Sequence, residues 1–428
     1  MLVTSRVTKT GGRDAATRRI PPQLALAVGK PENAPPAGWQ WSALTDLARL
    51  ESGHTPSRKH PEYWGGDVPW ISIGDARSHD GLRIDDTEEK TNELGIENSS
   101  ARVLPTNTVC LSRTASVGYV VVTGRPMATS QDFVNWVCSK QLDHNFLKYL
   151  FIAEDEGLLR FASGAVHQTI YFPEVKAFHI CHPPLAEQQR IVGVLDQAFA
   201  GLATAQAHAE KNLQNARALF ESHLQSVFTQ KGEGWVETKL DDVCGFQNGF
   251  AFKSSRFKQS GSPLLRISNI QDGKVDAEKL VFFDAKDYRE NLDRYRIVAG
   301  DLLIAMSGAT TGKLGFNTED TVFYLNQRVG KFEPSKKLNK RFLYHFLSTK
   351  VEENFRISAG AAQPNLSTEQ IKGFVLPLPP IDEQERIVEA LESLATETQR
   401  LESLYQQKRA ALAALKKSLL HQAFNGEL

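Results

Sequence analysis

The chain has 428 residues, and its 50 Lys and Arg are balanced by 50 Asp and Glu. Hydrophobic residues are 41% and charged residues 23%, which excludes a mostly disordered chain, and 30 Gly with 19 Pro show no collagen-like period. No apolar run approaches the ~20 residues that span a bilayer, and zero net charge excludes bulk electrostatic coating of nucleic acid while leaving room for a local basic surface. Domains of ~100–200 residues predict several folding units. Cys110, Cys138, Cys181 and Cys244 lie far apart with no Cys-x-x-Cys pair, so a zinc site or disulfide framework is not expected and a reducing cytoplasm fits.

Residues 1–37 read as a flexible amino-terminal extension. A globular unit follows over 38–184, with β-rich runs at Val68–Ile73, Val109–Leu111, Tyr119–Val122 and Phe133–Val137. A helical pattern covers Asn145–Ala153, and Pro173 suits the first turn of a short helix. Residues 185–231 form one long helical stretch. Ile191, Leu195, Ala198, Leu202, Ala205, Ala209, Leu213, Ala216, Phe220, Leu224 and Val227 recur at steps of three and four, and no Pro interrupts them. A second globular unit spans 234–380, with strands expected at Leu264–Ile267, Leu302–Ala305 and Phe374–Leu376 and a helix at Arg341–Leu347. Ser367 with Gln370 forms a capping-box start. A second long helix covers 381–428, opened by a capping box of Asp382 and Glu385, with its stripe at Ile387, Leu391, Leu394, Leu401, Tyr405, Leu412, Leu415 and Leu419. At ~1.5 Å per residue each long helix measures about 65 Å, too long to hide its stripe on one small domain. Paired as a coiled coil, the two helices can bury both stripes.

The chain is a tandem repeat. Pro183-Pro184-Leu185-Ala186-Glu187-Gln188-Gln189-Arg190-Ile191-Val192 returns 196 residues later as Pro379-Pro380-Ile381-Asp382-Glu383-Gln384-Glu385-Arg386-Ile387-Val388. The same offset relates Gly38-Trp39 to Gly234-Trp235, Gly53 to Gly249, Gln131 to Gln327 and Phe228 to Phe424. Two inner segments align at 194, including Thr114–Gly118 with Gly308–Gly312. One register held over so long a stretch is duplication, not chance. Strands mixed with short helices, without a βαβ rhythm, make each unit α/β or α+β.

Catalytic motifs fail on inspection. Gly308-Ala309-Thr310-Thr311-Gly312-Lys313-Leu314 resembles a phosphate-binding loop, but the glycine spacing is one residue short and Leu314 stands where Ser or Thr must hold magnesium. It reads instead as a tight glycine-containing turn. No Asn/Asp-Pro-Pro-aromatic tetrapeptide of an adenine methyltransferase is present, and the eleven His lack a His-Glu-x-x-His spacing. His179 and His182 flank Cys181 at a strand end and read as core or surface residues rather than metal ligands.

Two divergent units, each followed by a helix opening Pro-Pro-Leu/Ile-x-Glu-Gln-x-Arg-Ile-Val, resemble the specificity subunit of type I restriction–modification enzymes. The ending Leu419–Leu428 is similar to that family's carboxy terminus. Gly53-His54-Thr55-Pro56-Ser57 with Pro61–Ser72 resembles one subtype of its target-recognition domain, and Gly249–Ser254 with Pro263–Ile270 resembles another. The resemblance covers 38–428. It implies a pseudo-twofold tandem repeat of two mixed α/β target-recognition domains, 38–184 and 234–380, held apart by two long antiparallel helices. Each domain would read one half of an asymmetric, interrupted site on double-stranded DNA. The helices would dock two modification subunits that use S-adenosylmethionine, and two ATP- and Mg2+-dependent restriction subunits can join. The chain itself would carry no cofactor, metal or catalysis. Rival readings are a methylation-only complex, a self-contained DNA adenine methyltransferase and a coiled-coil scaffold without a DNA role.

Arg can bind guanine in bidentate fashion, and Asn or Gln can do so with adenine. Candidate DNA contacts in the first unit are therefore Ser57, Arg58, Ser72, the loop Ser112-Arg113-Thr114, Gln131, His167 and Gln168. In the second they are Lys253, Arg266, Asn269, Ser307, Thr310, Thr311, Lys313, Gln327, Gln363 and Asn365. Residues 38–184 carry 13 basic and 18 acidic side chains, and 234–380 carry 21 and 17. Phosphate contacts favour Lys and Arg, so the first reader is expected to take backbone affinity from partner subunits.

Overall fold

The structure, a computed structural model, describes residues 20–21, 24–29, 34–164, 168–271, 273–351 and 365–428. The chain divides into two units, Met1–His208 with Lys408–Leu428, and Ala209–Gln407.

The first unit is built on strand Phe133–Cys138, which pairs antiparallel with Ala48–Ser52 and with Val109–Ser112. Val109–Ser112 pairs in turn with Val120–Thr123, and that strand pairs in parallel with Arg83–Ile84. The runs Val109-Cys110-Leu111 and Val120-Val121-Val122 are buried throughout, as expected where both faces of a sheet are covered. One cover is the helix His144–Glu154, whose Phe146, Leu147, Leu150 and Phe151 join the core. Asp143 caps it, accepting from the amides of Asn145 and Phe146 at 2.8 and 3.1 Å. Trp64–Ile71 lies between Lys90–Thr91 and Ala128–Thr129 in a smaller sheet.

The second unit repeats this plan. Val329–Pro334 pairs with Cys244–Asn248 and Leu302–Ala305, and Leu314–Phe316 lies beyond. Asn339 caps the helix Lys340–Ser348 through the amides of Arg341 and Phe342. A further four-stranded sheet surrounds Ser262–Leu265. Two glycines at the repeat's offset share a reason. A Cβ on Gly53 would stand 1.8 Å from the Ser130 carbonyl oxygen, and one on Gly249 1.9 Å from that of Asn326. Only glycine allows this approach of strand to turn.

The repeated proline motif is explained by its glutamine. Gln188 and Gln384 are fully buried. The Gln188 carbonyl accepts from the Asp143 amide at 2.9 Å, and its NH2 donates to the Gln141 and Pro183 carbonyls. Gln384 does the same with Asn339, Lys337 and Pro379. Each glutamine thus locks the start of a long helix to the cap of the short helix beside it.

The long helices are Leu185–Thr229 and Ile381–Phe424. In the first unit, Ile191, Val192 and Leu195 from the start of one share a core with Leu420 and Ala423 from the end of the other. In the second, Leu224 and Phe228 from an end share a core with Val388 and Leu391 from a start. Arg217 and Glu402 also pair across the helices there at 3.2 Å. Within each unit the start of one long helix therefore packs antiparallel to the end of the other.

Four expectations need correction. Residues 1–37 are not all outside the fold: Leu26–Val28 pairs in parallel with Phe178–Ile180, and Val28 is buried; residues 1–19, 22–23 and 30–33 lie outside the described residues. Strand Val68–Ile73 runs instead from Trp64 to Ile71, because Ser72 and Asp75 form a capping box that opens the helix Ile73–Ser78. Asp382 caps nothing, since the helix already starts at Ile381 and the Pro380 carbonyl accepts from Glu383 and Gln384. Leu415 belongs to the expected stripe but is 47% exposed. The Ser367 capping box forms as the sequence indicates.

Candidate nucleic-acid interface

Strand register shows how the two candidate loops differ. Phe133 faces Ser112 in the first unit, and its counterpart Val329 faces Ala305 in the second. Gly118 donates to the Ser112 carbonyl, and Gly312 to that of Ala305. The loop thus occupies 113–118 in one unit and 306–312 in the other, one residue longer. The offset is 193 in the strand before the loop, 194 from the loop glycine through the strand after it, and 196 again at the facing strand, so Arg113 corresponds to Met306 and Asp132 to Arg328.

In the first unit three segments converge. The Arg113 amide donates to the Asp132 carbonyl at 2.7 Å, and the Ile170 amide donates to the Arg113 carbonyl at 2.8 Å. The Arg113 guanidinium donates to the carbonyls of Gln131 (3.1 Å) and Ile170 (3.4 Å), stacks 4.8 Å from the Phe172 ring, and has a buried Nε without a partner among the described residues. Burial holds this group below its ordinary value, opposed by Asp132. Thr114 and Thr169 join hydroxyls at 2.8 Å. Ala115, at the loop tip, is exposed with φ 63°. Gln131 and Gln168 are exposed beside this loop, and the Gln131 amide oxygen accepts from Thr55. His167 lies outside the described residues.

The second unit has the same junction. The Met306 amide donates to the Arg328 carbonyl at 2.8 Å, the Leu366 amide to the Met306 carbonyl at 2.7 Å, and Ser307 bridges Asn365. Arg328 has φ 72° and donates through Nη1 to the Asn365 amide oxygen at 2.9 Å. Gln327, Arg328 and Asn365 are exposed. Thr310 donates to the Ile267 carbonyl at 3.3 Å, and Lys313 to the Gln271 amide oxygen at 3.2 Å. Gln363 lies outside the described residues.

Several candidates serve the loops' own backbone. Ser112 is buried, donating to the Ser116 carbonyl and accepting from the Tyr119 amide. Ser307 and Thr311 are buried, and Thr311 donates to Gly308. Asn269 is buried, accepts from the Arg266 amide and donates to the carbonyls of Asp276 and Lys279. The side chain of Ser72 is taken by its cap. In Ser72, Ser112, Asn269 and Thr311 the side-chain polar atoms are engaged by bonds that shape the loops, and Ser307 is buried. Arg58 is exposed but forms a two-point pair with Glu89 at 2.5 and 2.6 Å and stacks 3.8 Å over Trp64. That pair holds the Glu89 carboxyl below its usual range. Ser57 and Lys253 are exposed, and Arg266 is half-buried with an unpartnered buried Nε.

Arg328 is not marked in the sequence, because its counterpart is an aspartate and nothing in one sequence reveals a left-handed backbone. Gly308–Thr310 is a single 3-10 turn, with Gly308 at φ 74° and Gly312 at φ 85°, a turn as read. Burial pushes the thiols of Cys138 and Cys244 up to about 12 and that of Cys181 up to about 11, far from a reactive thiolate. No helix among the described residues is long and apolar enough to cross a membrane.

Comparison with known proteins agrees with the duplicated architecture. The model of the type I restriction modification DNA specificity domain matches twice, over residues 36–213 and 232–408. The MjaIX specificity subunit of Methanocaldococcus jannaschii is 25% identical over 369 residues, covering 81% of this chain and 84% of that protein. The EcoKI specificity subunit of Escherichia coli K12 is 27% identical, covering 58% of this chain and 57% of its own length. Among solved structures, the HsdS subunit of Thermoanaerobacter tengcongensis superposes with a TM-score of 0.61 at 20% identity, covering 93% of this chain and 99% of that one. A chain described under complex assembly and conformational transition of the type I R-M system reaches 0.74 at 20% identity, covering 92% of this chain and 100% of its own. With both globular units and much of both long helices inside the matched residues, the chain belongs to the type I restriction–modification DNA specificity family.

Proposed function

We propose that this chain is the non-catalytic DNA-reading subunit of a type I restriction–modification complex, each unit reading one half of an asymmetric bipartite site. The observation that carries this is the pair of matching three-segment junctions, set on like scaffolds and lined by unlike residues. Direct readout needs a few donors and acceptors placed in the major groove. Two such readers with different side chains suit two different half-sites. The antiparallel helices act as the ruler between them, and a spacing near one DNA turn is ~10 bp or about 34 Å.

The repeat also bears on partners. Two related surfaces on one chain suit two identical subunits. On this reading two modification subunits dock along the helices and bring S-adenosylmethionine, while restriction subunits, where present, bring ATP and Mg2+. Both reactions take place in the cytoplasm and on double-stranded DNA.

Insertion of ~4 residues, one helical turn, near both Ala209 and Tyr405 tests the ruler. The methylated motif should keep its half-sites and gain spacing. An unchanged gap contradicts the ruler. A mobility shift with random duplexes in the presence of the modification subunits separates this reading from a scaffold, which would leave the duplex unshifted. S-adenosylmethionine binding by this chain alone would favour a self-contained methyltransferase instead.

A further inference from the structure

We propose that Arg113 and Arg328 are positioning residues that set base preference in their own half-sites by tying the loop junction together, each supplied from the opposite side of the same strand pair. This rests on the DNA-reading function and deepens it. At the junction the first unit has Arg113 on the hairpin and Asp132 on the turn. The second has Met306 on the hairpin and Arg328 on the turn. Of the two facing positions at each junction one is an arginine, and the side it comes from has switched.

The geometry is that of a tie rather than a probe. Arg113 points its donors inward at two carbonyls on different segments, Gln131 and Ile170, with its plane on Phe172. A flat, five-donor fork suits such bridging, and an ammonium does not. Its buried Nε carries a desolvation cost with no bond in return, so packing holds the group where it is. Arg328 occupies a left-handed backbone, unusual for a residue with a side chain, and reaches from the turn to the segment after 364.

The tie also has a chemical consequence. A guanidinium only donates, so the Asn365 amide must turn its oxygen toward Arg328. The exposed Asn365 then presents its NH2, a donor suited to base-edge acceptors such as purine N7, guanine O6 or thymine O4. Removing Arg328 lets the amide rotate and present either group.

The experiment uses the full chain assembled with its modification subunits, acting on a library of random duplexes whose methylated motifs are sequenced. The variants are R113K, R113M and R328A, each checked by thermal melting. For R113M and R113K alike, discrimination should fall about tenfold, the scale of one lost base contact, at more than one position of the first half-site. The second half-site should be unchanged. R328A should instead relax the second half-site, at the least at the base that Asn365 faces, and leave the first unchanged. Equal loss on all sequences means a phosphate grip, and loss at a single base in the Arg113 variants means direct readout by that arginine; either outcome overturns the proposal, as does an unchanged motif. Should R113M not fold, R113K and the surface variant R328A still decide. A wild-type assembly that methylates no bipartite motif would instead defeat the DNA-reading function itself.

Discussion

The two units differ least where they are buried and most where they are exposed. Gln188 and Gln384 make the same three bonds to the same three places in their units. Gly53 and Gly249 answer the same close approach. The junction loops, built on these supports, differ in length, charge and the origin of their arginine. Scaffold bonds to main-chain atoms are indifferent to what a loop reads, so the frame can stay fixed while the reading surface changes.

The likeness of the frames can be tested by breaking it. Gly249→Ala should be among the most damaging changes, because a methyl group cannot occupy 1.9 Å from a carbonyl oxygen. A loss above about 3 kcal/mol is expected in denaturant titration, with Gly53→Ala similar. Gln384→Ala leaves an amide and two carbonyls unpaired in a buried place and should cost about 2–3 kcal/mol. Gln188→Ala should match it, and a large gap between the two would show that the supports are not equivalent.

One buried difference sharpens the comparison. His345 stands where the first unit has Tyr149, which donates to Asp196. Burial pushes the His345 imidazole down to about 4, assisted by Arg341, and its Nε2 has no partner among the described residues. A folded-state value below the unfolded one means that the unfolded chain binds the proton first as pH falls. This stability is present above pH ~6.5 and is lost progressively toward the folded value near 4. At pH 5 the second unit should have lost about 2 kcal/mol relative to pH 7. His345→Gln should remove that acid sensitivity, read from melting curves at both pH values; a pH dependence equal to wild type would exclude His345 as its source. The smallest effect belongs to Arg217 and Glu402, whose side chains are 53% and 27% exposed. A double-mutant cycle should give under about 1 kcal/mol, decreasing with salt.

The duplicated plan was legible in the sequence because it is written in buried residues with regular spacing. The long helices show as unbroken stripes, and Val109–Leu111, Leu302–Ala305 and Phe133–Val137 fall within or on observed strands. What tertiary contact decides was not legible. Leu26–Val28 becomes a strand only because Phe178–Ile180 offers an edge. The first turn of the second long helix is set by Pro380 and Gln384 rather than by a nearby acid pair. At the candidate interface, residue type pointed to loops whose polar atoms it could not orient. Ser112, Asn269 and Thr311 are polar and well placed in sequence, yet their bonds turn inward.

The central claim is that two unlike readers share one frame, and the methylated motif of the assembled complex tests it most directly. Sequencing modified bases after expression of this chain with its modification subunits should reveal two different short half-sites separated by a fixed run of unspecified bases. A single continuous site, or two identical halves, would contradict it.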